Sequence, residues 1–248
     1  SKASTTMAPT EGAEAAEVEG QQSVYIARYG LPEAALAEGI GPFDMELASE
    51  GLVAASELAR FLKESGSIKH IFTSPFKRAL HTAAIVSREI ELPKVNIEEG
   101  LTEWQCPELI GGDSPYQPPS VVHLIERFPE LNGKYESITK PVPFETEQEM
   151  AGRVGRVARI LADSVFPSNI LLVSHAPCNI GMGLGFEGVA WENGRRDSKL
   201  KPWPLGGLTQ FRRGALGAQW DMVKCVSTDH LSGPWKEGKQ AWTLPSLR

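Results

Sequence analysis

From Val24 onward, short runs of consecutive apolar residues alternate with longer stretches in which apolar positions recur every three or four residues. The first pattern reads as strands covered on both faces, the second as helices with one buried stripe. Strands are expected at VYIA (24–27), IKHIF (68–72), VNI (95–97) and ILLV (170–173). A helix from Ser49 to about Lys63, with Ser49 as its cap, places Leu52, Ala55, Leu58, Ala59 and Leu62 on one face. Ser74 caps the next, with Pro75 in the favoured first position and a run to about Ile90. Thr146 and Glu149 form a capping box that opens a helix to about Val165. This alternation predicts an α/β fold of three layers, a mainly parallel central sheet flanked by helices.

Two segments depart from the rhythm. Residues 105–144 hold Gly111, Gly112, Pro115, Pro118 and Pro119 and one short helix near Val121 to Phe128, the composition of an inserted cap rather than of core sheet. LTQFRR (208–213) and AQWDMVKCV (218–226) flank Gly214 and Gly217 as a C-terminal hairpin. Residues 1–22 lack large apolar residues at core spacing and read as a disordered lead, leaving 23–248 as a single domain with the 105–144 insertion.

Composition narrows the function classes. An apolar fraction of 41% over 248 residues supplies a sizeable core, and a net charge of −6 argues against nucleic acid or an anionic membrane as the main partner. No apolar run approaches the roughly eighteen residues of a membrane span, and the polar start is not a signal peptide. Cys106, Cys178 and Cys225 are odd in number and widely spaced, which favours a reducing compartment, the cytoplasm, over a secreted disulfide framework. An organelle reached after loss of a transit segment stays open. No metal or organic cofactor is implied, because no ligand cluster has suitable spacing.

In open α/β sheets ligands gather beyond the carboxyl ends of the strands, so the residues that follow each strand are the candidates for chemistry. They are Arg28, Tyr29 and Gly30 after the first strand, Ser74 and then Arg78 after the second, Glu103 after the third and His175 after the fourth. Two guanidiniums, a carboxyl and an imidazole converging would make an anion-binding site with a proton donor. Arg78 in the first turn of a helix opposes the helix dipole, a cost that a bound oxyanion would offset. Each residue taken alone has a plainer reading, as a solvent-facing arginine, a surface carboxylate or a core-edge histidine. Gly181, Gly183 and Gly185 lack the Lys-Ser/Thr of a phosphate-binding loop and read as close backbone packing. Trp191, Trp203, Trp220 and Trp235, with Arg195, Arg196, Arg212 and Arg213, are too scattered for a nucleic-acid stacking surface.

These blocks resemble the histidine phosphatase superfamily, the phosphoglycerate-mutase-like fold. VYIARYG stands where that family has a strand ending in Arg-His-Gly, and IFTSPFKRALHTA is similar to its Ser-Pro-x-x-Arg-Ala-x-x-Thr-Ala stretch. GLTEW resembles its Gly-Leu-x-Glu-Trp segment, and LLVSHAPCN the strand that carries its second histidine. The Glu-Trp block looks most like the eukaryotic Sts-type branch. The resemblance implies that Arg28 and Arg78 bind a phosphoryl group, that Glu103 is the general acid and that His175 is the second phosphate-binding histidine. The family's nucleophile is the histidine of Arg-His-Gly, and here that position is Tyr29.

A neutral imidazole attacks well near pH 7, whereas a phenol with a reference pKa of about 10 is only about a thousandth ionised there. Three readings follow. The first is an inactive or weakly active pseudophosphatase that binds a phosphorylated small molecule, a phosphoprotein or another anion. The second is an enzyme of altered chemistry with Tyr29 and Glu103 as acid and base, and the third is an interaction protein with a vestigial pocket. His81, one turn beyond Arg78, reads as a packing residue rather than a replacement nucleophile.

Overall fold

The computed structural model describes residues 20–33, 45–65, 67–107 and 114–247. The greater part of the expected lead, 1–19, lies outside the described residues, and so do Gly111 and Gly112. The first strand, β1 (Gln22–Arg28), opens inside the segment expected to be the lead. Gln22 is fully buried, and its amide donates to the carbonyls of Ala162 and Ser168.

Four strands run parallel: β1, β2 (Ile68–Thr73), β3 (Val95–Ile97) and β4 (Asn169–Ser174). The hairpin β5 (Leu208–Arg213) and β6 (Asp221–Ser227) extends the sheet antiparallel beside β1, giving the order β3-β2-β4-β1-β5-β6. Side chains alternate between the two faces, as strand geometry requires, apart from an irregularity in β2 that leaves Ile68 and Ile71 on the same face. Val24, Ile26, Ile170, Leu172 and Phe211 join the cluster on one face, and Tyr25, Ala27, Leu171, Val173 and Leu208 the cluster on the other. The helices divide in the same way. α1 (Ser49–Ser65) and α2 (Lys77–Glu89) cover the second face, while α4 (Glu147–Ser164) and α5 (Ala176–Glu187) cover the first. The short α3 (Val121–Arg127) adds Leu124 to the second face from within the 105–144 segment.

The Thr146–Glu149 capping box at the start of α4 is present in full. Two other caps differ from expectation. The Ser49 hydroxyl, inside the first turn of α1, donates to the adjacent Glu50. α2 begins at Lys77 with Phe76 in the capping position, three residues beyond Ser74. Pro75 disfavours helical backbone at Ser74, whose hydroxyl accepts from the Phe76 amide at 3.4 Å and meets His175 Nε2 at 2.8 Å.

Gly181, Gly183 and Gly185 serve packing. A Cβ on Gly185 would lie 2.8 Å from the Gly155 Cα, and one on Gly183 would lie 2.5 Å from the Leu200 side chain. Trp203 is fully buried, and Trp220 packs against Phe186 and the Arg213 guanidinium. Among the described residues, no helix is long and apolar enough to cross a membrane.

Candidate active site

The parallel register sets the site. Arg28 pairs with Ser174, while Thr73 pairs with both Val173 and Ile97. The residues that follow, Tyr29, His175, Ser74 and Glu98, therefore leave the sheet along one edge. Arg78 enters from the first turn of α2, and Glu103 follows a 3-10 turn at Glu99–Leu101. All five residues expected from the sequence, Arg28, Tyr29, Arg78, Glu103 and His175, meet here.

His175 lies at the centre, fully buried. Its Nδ1 is 2.8 Å from Glu103 Oε2, and Arg78 Nη2 reaches the same oxygen at 3.2 Å and the ring nitrogen at 3.1 Å. Ser74 Oγ is 2.8 Å from Nε2. The Glu103 oxygen, which can only accept, makes the shorter approach to Nδ1; with the proton assigned there, Nδ1 donates to Glu103, Nε2 accepts from the Ser74 hydroxyl, and Arg78 Nη2, itself only a donor, bonds Glu103 and merely borders the ring nitrogen. Arg78 and the imidazole are then two donors converging on one carboxylate oxygen.

Burial pushes the His175 imidazole down to about 4, further than the Glu103 carboxylate holds it up, so the ring is neutral near pH 7. Burial alone would raise Glu103, but His175, Arg78 and Arg28 together outweigh it and hold the carboxyl below its ordinary value.

The Tyr29 ring sits among these groups, 7% exposed. Its centroid is 4.9 Å from the Arg78 guanidinium carbon, 5.5 Å from that of Arg28 and 5.2 Å from the His175 ring, which it meets edge-on. Arrangements of this kind are attractive for a cation over an aromatic face. Phe76 packs edge-on against His175 as well, at 5.2 Å. Arg28 is tethered by Nη1, which donates to the carbonyls of Trp203 and Gln240 at 2.8 Å each.

Two positioning residues, Arg153 and Glu98, escaped the sequence reading of the site, and a third, Ser74, was named after its strand without this role. Ser74, expected both as a helix cap and at the end of the second strand, orients His175. Arg153, buried on α4 and paired with Glu145, donates to the carbonyls of Gly100 at 2.6 Å and Thr102 at 3.3 Å, immediately before Glu103. Glu98, also buried, accepts from the amides of Gly100 and Ile138 and from the Tyr135 hydroxyl, which ties the turn before Glu103 to residues 135–138. Arg153 falls in the apolar stripe of Met150, Val154 and Val157, a local signal of its role, whereas Glu98, between Ile97 and Glu99, carries none. His81, by contrast, packs on Phe128 and lies 3.5 Å from Glu46. His230 packs on Phe61. Among the described residues, no group of His, Cys, Asp and Glu could hold a metal ion.

Solved structures and a family profile place the fold. No functionally curated protein matches the chain in sequence. Among solved structures, the ecdysone phosphate phosphatase of Bombix mori, in complex with tungstate, superposes with a TM-score of 0.65 at 17% identity, over 87% of this chain and 99% of that one. A phosphoserine phosphatase from Entamoeba histolytica, in complex with 3-phosphoglyceric acid, gives 0.58 at 21% identity over 85% and 100%. A mycobacterial glucosyl-3-phosphoglycerate phosphatase gives 0.57 at 16% over 83% and 99%. At these identities the likeness is one of fold. The sequence profile of the histidine phosphatase superfamily (branch 1) matches residues 24–198, well over half of the 248, and on that match the chain belongs to this superfamily.

Proposed function

We propose that this protein binds a phosphorylated or otherwise anionic ligand through Arg28 and Arg78, and that it turns phosphomonoesters over weakly or not at all. The observation that carries this reading is Tyr29, whose ring stands at the end of β1 between the two guanidiniums, where the superfamily places its nucleophilic histidine. A phenol must lose its proton to attack phosphorus well, and no base in the cluster is free to take it. His175 Nε2 accepts from Ser74, His175 Nδ1 carries a proton, and the Glu103 carboxylate is shared between His175 and Arg78. This weighs against the second reading, in which Tyr29 and Glu103 act as acid and base.

The anion-binding half of the machinery is retained. Arg28 and Arg78 line the carboxyl edge of the sheet, with His175 at their centre. Structural relatives were crystallised with oxyanions or phosphate esters, among them tungstate, inorganic phosphate and 3-phosphoglyceric acid. We read residues 23–248 as one domain with 105–144 as its cap, nearest to the Sts-type branch and working in the cytoplasm on a phosphorylated small molecule or phosphoprotein. Its three cysteines, odd in number and widely spaced in the sequence, suit that compartment.

The test is turnover of a generic aryl phosphate by this chain and by Tyr29→His, side by side. The histidine variant is expected to gain at least about a hundredfold, the scale on which an activated nucleophile differs from an un-ionised phenol at pH 7. Arg78→Ala in the same background is expected to abolish that gain. Equal and substantial turnover by the parent chain would overturn the reading.

A further inference from the structure

Thr102 and Glu103 also line a cavity of about 490 Å³, a volume typical of small-molecule sites. Much of its wall is proline: Pro75 from the β2–α2 turn, Pro115, Pro118 and Pro119 before α3, and Pro141 and Pro143 before α4. Proline offers no N–H and holds its backbone at fixed φ, so this wall is short of donors and costs little entropy to order. Ile97, Tyr116, Val121 and Leu124 fill the remaining apolar surface. Tyr116 packs on Phe76 at 5.1 Å, and Phe76 packs on His175, so an unbroken aromatic contact joins the cavity to the anion site.

Several polar groups of the lining are engaged within the protein. Gln105 donates to the Tyr116 carbonyl and accepts from the Tyr116 amide, and Glu145 is held by Arg153. Lys140, the one lysine or arginine among the described residues of the lining, lies 3.5 Å from Glu99. Carboxylates outnumber it: Glu99, Glu103 and Glu145 all border the space. A ligand with a second negative charge, such as the carboxylate of phosphoserine or phosphoglycerate, would meet those carboxylates rather than a free cation.

Resting on the binding reading above, we propose that this cavity holds the organic body of the ligand, and that the ligand is a phosphate monoester of a neutral, largely apolar alcohol, aromatic or polycyclic. Its phosphate lies at Arg28 and Arg78 and its body against the proline wall. The experiment is calorimetric titration of the full chain with inorganic phosphate, 1-naphthyl phosphate and O-phosphoserine. It is repeated on Val142→Trp, which adds bulk at an exposed position of the cavity rim, and on Val121→Trp. In the parent chain, 1-naphthyl phosphate is expected to bind at least about tenfold more tightly than inorganic phosphate, and O-phosphoserine no more tightly than phosphate. The ratio of naphthyl phosphate to phosphate affinity is expected to fall toward one in both variants.

Phosphate binding with no naphthyl preference, a preference for O-phosphoserine, or a preference unchanged in both tryptophan variants would overturn the proposal while leaving the binding reading in place. No binding of phosphate or of either ester would overturn both.

Discussion

At Arg78 the protein supplies its own anion. The Glu103 carboxylate occupies the guanidinium at 3.2 Å and accepts the hydrogen bond of His175 at 2.8 Å, so an arriving phosphate must compete with it. The same pairing keeps Glu103 ionised, the wrong state for a general acid, until a ligand draws the arginine charge away. Glu103→Gln preserves the shape and removes the competing charge. A unit charge a few ångströms away is worth a few kcal/mol at an effective dielectric of about 20. Inorganic phosphate or vanadate is therefore expected to bind Glu103→Gln about tenfold or more tightly than the parent, read by titration calorimetry. Affinity that is unchanged or weaker would show that this carboxylate does not face the bound anion. The candidate residues were legible because each follows a strand, and the register of the sheet turns that sequence position into proximity. The roles of Ser74 and Arg153 were not legible, because their partners lie 101 and 51 to 53 residues away in sequence.

At the level of elements, the loop that carries Tyr29 is fixed by contact between backbones. A Cβ on Gly30 would stand 2.5 Å from the Gly51 carbonyl oxygen, and one on Gly51 would stand 2.1 Å from that of Leu31. α1 therefore meets the end of β1 through glycine, with no flexible side chain to give way. The helix was readable from its period, but this contact was not, because period alone cannot see that a backbone is close. Leu52, expected on the buried face of α1, is consequently 37% exposed, while Gly51 is buried. Ala normally stabilises a helix over Gly by up to about 1 kcal/mol. Gly152→Ala in α4, where an added Cβ meets nothing within 4 Å, is expected to show that gain. Gly51→Ala is expected to do the reverse, losing about 1–3 kcal/mol through overpacking. Urea unfolding of the two variants separates the cases, and a matching gain in both would refute the close approach of α1 to the first loop.

Across the whole molecule, the cost of burying histidine should appear as acid sensitivity. Burial pushes both His175 and His230 down to about 4, and it lowers His70 and His81 in the same direction. In the unfolded chain a histidine takes up its proton near 6.5, so between that value and about 4 the unfolded state binds more protons than the folded one. Stability must then rise with pH across this window and fall as the solution is acidified. For the two most shifted rings the loss is on the order of 1 kcal/mol or more each by pH 4.5. Glu103 acts in the same direction at lower pH, since its depressed value makes its contribution vanish as pH falls through it. The thermal midpoint is expected to drop steadily from pH 6.5 to 4.5. His230→Phe, which keeps a ring against Phe61 but cannot titrate, is expected to flatten that slope while leaving the His175 share in place. A midpoint that does not move over this range would mean that His175 is charged in the folded protein, and the hydrogen-bond assignment that leaves Tyr29 without a base would have to be abandoned with it.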